Sequence, residues 1–319
     1  MPPLAAPRPD SRSPPRAPYH GRVPRVVLIV NPYSTEVTPG RIAAVRGVLE
    51  QRSELVLWET ERRGHARELA LEAVGQADAL VVFAGDGTYN EAINGAGGRI
   101  PFGFVPGGGA SVFPRALGLP RDPVRAAMQA LDALEAGRSS SITLGRLNGR
   151  RFCFSAGIGF DAEIVRRIDR RGRDHNGRRA GAARFLATTF LTLLETRFRI
   201  APQLEVDGFG RAALVVVVNG RPYTYVGRVP VPLTAAADFR SGLDFVAARE
   251  VSPRTVGALA FGLFRGTLAG DRRTLSGHDL DALEVHCDHP MPAQADGEDL
   301  GDITDARFES ERDALTILA

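Results

Sequence analysis

From Arg25 to Val105 the chain alternates short apolar β-rich runs with segments of helical spacing, and this alternation restricts the fold more than any other feature. Arg25–Asn31 (RVVLIVN), Glu54–Thr60 (ELVLWET), Asp78–Ala84 (DALVVFA) and Pro101–Val105 read as buried strands. Between them, Pro39 to about Arg52, Gly64–Gly75 and Thr88–Ala96 carry helical patterns, with Ala66, Leu69, Ala70 and Ala73 on one face of the second. Strands that alternate with helices in this way build βαβ units and a parallel sheet. Ligands of such sheets bind beyond the carboxyl ends of the strands. Asn31-Pro32, Thr60, Gly85–Thr88 and Pro106–Gly109 all fall at those ends, so four separate stretches are expected along one edge.

The texture changes near Ser139. Ser141–Asn148, Arg151–Ala156, Ala201–Val206, Ala212–Asn219 and Leu243–Ala248 read as strands with few helices between them. A second, β-rich domain follows, with a sandwich or an antiparallel barrel as the expected form. The expected division is a tail over 1–24, an α/β domain over 25–138, a β-rich domain over 139–300, and a segment over 301–319 whose strand-like end returns to the first domain. The tail holds eight prolines and four arginines without an apolar stretch behind them, which predicts disorder and argues against a secretory signal. No run of 18 apolar residues exists to span a bilayer. Cys153 and Cys287 lie singly in apolar runs and read as buried thiols of a reducing, cytoplasmic protein.

Composition matters at one point. All 40 basic residues are arginine, for the chain contains no lysine. A P-loop lysine and a Schiff-base lysine are therefore excluded, and phosphates would have to be held by backbone N–H groups, arginine and metal. The net charge of +3 is too small to indicate nucleic acid, which is not expected as a partner.

Gly85-Asp86-Gly87-Thr88 follows a buried strand and opens a helix. Its glycines let a phosphate approach the backbone, the helix N-terminus supplies amide donors, Thr88 suits an N-cap or a phosphate donor, and Asp86 would face the ligand. Taken alone, the four residues describe a tight turn with a solvated Asp better than a phosphate site. Pro106-Gly107-Gly108-Gly109 offers a flat backbone surface or a flexible link. Gly157-Ile158-Gly159-Phe160-Asp161-Ala162 mimics a dinucleotide fingerprint, but arginines stand where the ribose-binding acid should be. His286-Cys287-Asp288-His289 fits no zinc spacing. Asp296-Gly297-Glu298 reads as a polar surface turn.

Together these motifs resemble the diacylglycerol-kinase catalytic family, in particular its compact bacterial lipid kinases, and more distantly sphingosine and ceramide kinases. Asn31-Pro32-Tyr33-Ser34-Thr35 is similar to the family's Asn-Pro-x-Ser-Gly loop. Thr60 with Gly64-His65-Ala66 is similar to its Thr…Gly-x-Ala segment. Ala84-Gly85-Asp86-Gly87-Thr88-Tyr89-Asn90-Glu91 resembles its most specific motif, and Pro106 to Pro120 its next loop and helix. Glu91 follows the glycine loop directly, as in lipid kinases, whereas NAD kinases carry their Asn-Glu pair further downstream.

The resemblance implies an α/β plus β fold: an N-terminal Rossmann-like domain of the phosphofructokinase and NAD-kinase type, and a C-terminal β-sandwich or barrel, with the active site between them. It implies ATP-dependent phosphorylation of a lipid alcohol, diacylglycerol first, with a sphingoid-base kinase or a catalytically silent relative as alternatives. ATP would lie on Asn31–Thr35, Thr60 and Ala84–Asn90, with Gly108, Gly109 and Ser111 beside it. Glu298 would be the base and Asp86 would hold Mg2+ or share that role. The chain departs from the pattern at Thr35, at Ala84 and at Gly109–Val112, where a hydroxyl and a carboxylate are missing. Asp238–Leu243 resembles the family's structural magnesium loop with Ser241 in place of Asp, leaving Asp238 or Asp244 as a metal candidate if the loop is rearranged. Arg166–Arg184 carries eight arginines against Asp169 and Asp174, and an apolar helical pattern follows with Phe185, Leu186, Phe190, Leu191, Leu193 and Leu194; the pair reads as a docking site for an anionic membrane or as a solvated charged face beside a core helix. A homodimer stays open.

Overall fold

The computed structural model of the chain describes residues 22–170, 182–226 and 229–319. The first half alternates as the hydrophobic pattern requires: β1 (Arg25–Val30), α1 (Pro39–Glu50), β2 (Glu54–Glu59), α2 (His65–Ala73), β3 (Ala79–Ala84), α3 (Asp86–Ala96), β4 (Phe102–Pro106), α4 (Val112–Ala116) and α5 (Pro123–Glu135). The four strands lie parallel in the order β4-β3-β1-β2. Successive side chains of a strand face opposite ways, and both faces of this sheet are covered. Val27 and Ile29 pack with Ala66, Ala70 and Ala73 of α2 and with α3. Val26, Leu28 and Val30 pack on the other side with Val45 and Leu49 of α1 and with α5. Helix starts follow local chemistry: Thr38 caps α1 by accepting from Arg41 N, Asp122 caps α5 by accepting from Arg125 N, and a proline opens each helix.

The second half contains β5 (Ser140–Leu147), β6 (Arg150–Phe152), β7 (Ser155–Gly159), α6 (Phe160–Arg170), α7 (Ala182–Glu195), β8 (Leu204–Val206), β9 (Gly210–Ala212), β10 (Leu214–Val218), β11 (Thr224–Val226), β12 (Val229–Val231), β13 (Leu243–Ala248), α8 (Val256–Arg265), β14 (Thr274–Leu280), β15 (Ala282–Ala295) and β16 (Glu298–Ile317). The strand-rich character is as expected, and β11 and β12 form a separate hairpin. Of its three helices, α7 falls on the apolar helical pattern at Phe185–Leu194, while α6 and α8 were not anticipated. The Gly157–Ala162 segment is the end of β7 and the start of α6, and Gly157 has no room for a side chain because a Cβ there would lie 2.6 Å from Asp161 Oδ2.

The two halves share one sheet, in the order β14-β13-β10-β7-β15-β16-β4-β3-β1-β2, with β5, β6, β8 and β9 attached along it. The junction is β16. Its first part pairs antiparallel with β15, its second with β5, and Ile317 reaches β4 in parallel register with Phe102. Leu315 and Ile317 belong to the core that also holds Tyr89 and Phe104. No helix among the described residues is long and apolar enough to cross a membrane.

Candidate functional site

The carboxyl ends of β1 to β4 bring the expected loops into contact. Asn31 leaves β1, and its amide Nδ2 donates to Thr88 Oγ1 at 2.8 Å while its Oδ1 accepts from Tyr33 N. Pro32, Ser34 and Thr35 follow in that turn, and Tyr33 stands 63% exposed at the edge. Thr60 is buried at the end of β2, its N–H donating to Val30 O. Glu36 N donates to Gly107 O, which joins the Asn31 loop to the loop after β4. That loop runs against Gly85 so closely that a Cβ on Gly108 would sit 2.9 Å from Gly85 Cα. Glycine is required at Gly108 by this approach.

Several side chains stand in roles other than those expected. Gly85, not Thr88, is the N-cap of α3, and Thr88 lies inside the first turn as the acceptor for Asn31. Tyr89 is a core residue: it is fully buried, packs edge-on against Phe104, and its hydroxyl is shared between Ala84 O and Val105 O. Burial pushes its phenol well above the usual range. Asp86 does not simply face outward. Its two oxygens accept from Val112 N and Phe113 N, each at 2.9 Å, and so cap the short helix α4. Ser111, at φ 44°, turns its hydroxyl onto Gly108 O and is buried. Gly109 remains exposed.

The second constellation is centred on the turn between β15 and β16. Asp296 and Gly297 have φ of 50° and 76°, and Ala295 pairs with Glu298 across them. This is a two-residue hairpin of the kind that Asp-Gly favours. Its aspartate is 4% exposed. The carboxylate accepts from Cys153 N at 2.6 Å, Phe154 N at 3.0 Å, Ser155 N at 3.2 Å and Asn90 Nδ2 at 2.7 Å. Burial nevertheless raises its pKa to about 6, against the pull of these hydrogen bonds. Asn90 also donates to Arg151 O. It therefore links α3 to the hairpin.

Glu298, the first residue of β16, forms an ion pair with Arg150, whose guanidinium also reaches Asn90 Oδ1 and whose Nε is buried without a partner. Glu298 and Arg150 line a cleft of about 500 Å³ whose facing wall carries Arg63, Arg67, Glu91 and Asn94. Asp86 and Asn90 sit one helical turn apart on α3, roughly 6 Å along its axis. One helix therefore connects the glycine loop to the cleft that holds Glu298. Arg150 was invisible to motif reasoning, since nothing local distinguishes it from Arg151. The hairpin was legible as Asp-Gly, but the burial of Asp296 was not.

Two expected sites are placed elsewhere. Asp238 is exposed, and its carboxylate accepts from Arg240 N within its own turn. No group of three or more metal-ligating side chains of His, Cys, Asp or Glu gathers among the described residues. In the arginine segment, Arg166 is engaged with Asp299 and Asp302 of β16, and Arg167 with Glu163 and Glu195. These two are internal ties. Arg171, Arg173, Arg178 and Arg179 lie outside the described residues.

The diacylglycerol kinase catalytic domain family matches residues 25–147. A diacylglycerol kinase of Bacillus subtilis (strain 168) is 34% identical over 147 residues, which are 44% of this chain and 48% of that protein. One of Staphylococcus saprophyticus is 34% identical over 134 residues, 40% of this chain and 43% of its own. The match thus spans about half the length of these relatives or slightly less. A crystal structure of a diacylglycerol kinase from Bacillus anthracis superposes with a TM-score of 0.67 at 19% identity, covering 92% of this chain and 96% of that one, so the likeness of fold extends over both halves. Residues 25–147 are thus similar to the diacylglycerol kinase catalytic domain, and both halves share the fold of that solved structure.

Proposed function

We propose that the protein transfers the γ-phosphoryl group of Mg2+–ATP to the hydroxyl of a lipid alcohol, with diacylglycerol as the leading acceptor and phosphatidate as the product. The observation that carries this reading is the tie between Asn90 and Asp296, which anchors the hairpin leading into Glu298 to α3 one helical turn from Asp86.

The donor would lie over the carboxyl ends of β1 to β4. With no lysine available, its phosphates would take the first-turn amides of α3 and the backbone at Gly107–Gly109. Asp86, whose two oxygens also cap α4, would approach the magnesium with its carboxylate. A nucleotide-bound Mg2+ keeps waters and phosphate oxygens as most of its ligands, so one protein carboxylate is a sufficient donor set. Glu298, oriented by Arg150, would accept the acceptor's hydroxyl proton. The new O–P bond forms as the bond from the γ-phosphorus to the bridging oxygen of ADP breaks, and ADP leaves. Positioning and charge neutralisation supply most of the acceleration in such transfers.

The test is radiolabel transfer from ATP into extracted lipid by the wild type, Glu298→Gln and Asp86→Asn. Glu298→Gln is expected to lose about 10²-fold or more in kcat, as removal of a general base does. Asp86→Asn is expected to weaken ATP binding and to loosen α4. Equal activity in all three would overturn the site assignment. A panel of diacylglycerol and sphingoid-base acceptors identifies the acceptor class.

A further inference from the structure

Two helices of the second half are apolar where a water-facing helix is polar. In α7 two of the three threonines are inside: Thr188 and Thr192 are buried, and Thr189 is half-buried. Their position is tolerated because Thr192 Oγ1 donates to Thr188 O, one turn back, so this hydroxyl is satisfied within the helix. The outward stripe is Ala187, Phe190, Leu191 and Leu194, spaced i, i+3, i+4, i+7 and exposed throughout, with Phe190 at 55%. In α8 only Gly262 is buried, while Leu259 and Leu263 pack on the sheet. Its outward stripe is Gly257, Ala260, Phe261 and Phe264, with the same spacing, and the two phenylalanines are 62% and 55% exposed. The segment leaving α7 and the segment entering α8 are tied by the antiparallel bridge Ile200–Val251.

A helix apolar on every side belongs in a protein core or against hydrocarbon. α7 packs against α6 and α8 lays one face on the sheet; of the opposite faces, Phe190 meets only the edge of the Phe198 ring, and no other element covers them among the described residues. The charges around them identify the occupant. From Val251 to Gly270 there is no acidic residue. Arg197, Arg199, Arg254 and Arg265 are exposed beside the stripes, and none of them makes a salt bridge among the described residues. Arg265 instead lies over the Phe261 ring, 4.9 Å from its centroid. Exposed aromatic and aliphatic groups bordered by unpaired arginines fit the boundary of an anionic bilayer, where apolar side chains enter the acyl region and guanidinium groups meet phosphates.

We infer that the outward faces of α7 and α8 insert into an anionic lipid surface, so that membrane capture is chiefly apolar rather than a matter of the arginine run at Arg166–Arg184. The inference rests on the lipid-kinase reading only for its purpose, since the surface itself stands without it. Insertion by these faces would present the bilayer's own lipids to a chain whose acceptor is a lipid alcohol.

Flotation with vesicles of phosphatidylglycerol and phosphatidylcholine tests this, at low salt and at about 0.5 M NaCl, where charge attraction alone is screened within a few ångströms. The wild type is expected to float at both salt levels. The pairs Phe190→Ser/Leu194→Ser and Phe261→Ser/Phe264→Ser are each expected to lower vesicle partitioning about tenfold or more. Because all four side chains are exposed, thermal melts of both variants should match the wild type. Transfer to a short-chain, water-dispersed diacylglycerol should be unchanged in them. Loss of flotation for the wild type at high salt, or unaltered flotation of both variants, overturns the inference. A wild-type dimer that becomes monomeric in either variant overturns it too, by assigning the faces to a second copy. Failure of phosphoryl transfer to the short-chain acceptor by the wild type would count against the kinase reading alone, since flotation needs no catalysis.

Discussion

At the scale of the residue, Asp296 organises the site without touching the cleft. Its carboxylate gathers three consecutive backbone amides and the Asn90 side chain. Asparagine in its place has a single oxygen for the same donors, and each amide left unsatisfied costs about 1–3 kcal/mol. Asp296→Asn is therefore expected to lower stability by several kcal/mol in a denaturant titration, with loss of activity because Glu298 is displaced. The pH dependence has a definite sign. A folded pKa of about 6, above the unfolded value, means that the folded state holds this proton more tightly. The associated stability is present below the unfolded pKa of about 4 and is lost as pH rises through about 6. The stability difference between wild type and Asp296→Asn should therefore shrink from pH 4 to pH 7, by on the order of 2–3 kcal/mol. A difference that grows over this interval would show that the four hydrogen bonds outweigh burial. Sequence alone placed Asp296, Gly297 and Glu298 in one turn. It could not tell that the aspartate points inward, because burial is fixed by strands β6 and β7, far away in the chain.

At the scale of the element, α6 joins the second half to the hairpin. Arg166 is 11% exposed and pairs with Asp299 and Asp302, which are 25% and 49% exposed. Arg166→Leu leaves two carboxylates without their cation, and water reaches both of them. The expected loss is about 1–2 kcal/mol in thermal or chemical unfolding, below the cost of breaking a fully buried pair. Binding to anionic vesicles should be unchanged, since this arginine is not at the surface. Of the helices of this half, α7 was legible as an apolar helical pattern from Phe185 to Leu194, whereas α8 was not, because it has no polar stripe to mark its period. The α/β half was legible because its strands are covered on both faces and read as continuous apolar runs. There the boundaries moved by only one or two residues.

At the scale of the molecule, β16 makes the two halves one body. Leu315 and Ile317 fill the core beneath Tyr89, and Leu318 lies in the core on the opposite face. Removing residues 313–319 would strip three large aliphatic side chains from the first half, each contributing about 2–5 kcal/mol when buried. The truncated chain is expected to lose its cooperative melt and to aggregate through the bared edge of β4, as circular dichroism and light scattering would show. The alternation of strands and helices predicted the parallel sheet, and the strand-like end suggested a return to the first domain. A single continuous sheet through both halves was not legible, because pairings between distant strands leave no local mark.

The pairing of Phe102 with Ile317 also has a consequence in time. Synthesis runs from the amino end, so β1 to β4 leave the ribosome some two hundred residues before the strand that completes their sheet. Until then the first half offers an open strand and an unfilled core, which is the state that chaperones recognise. Its maturation is therefore a late event in translation, set by the arrival of a few residues around Leu315 and Ile317.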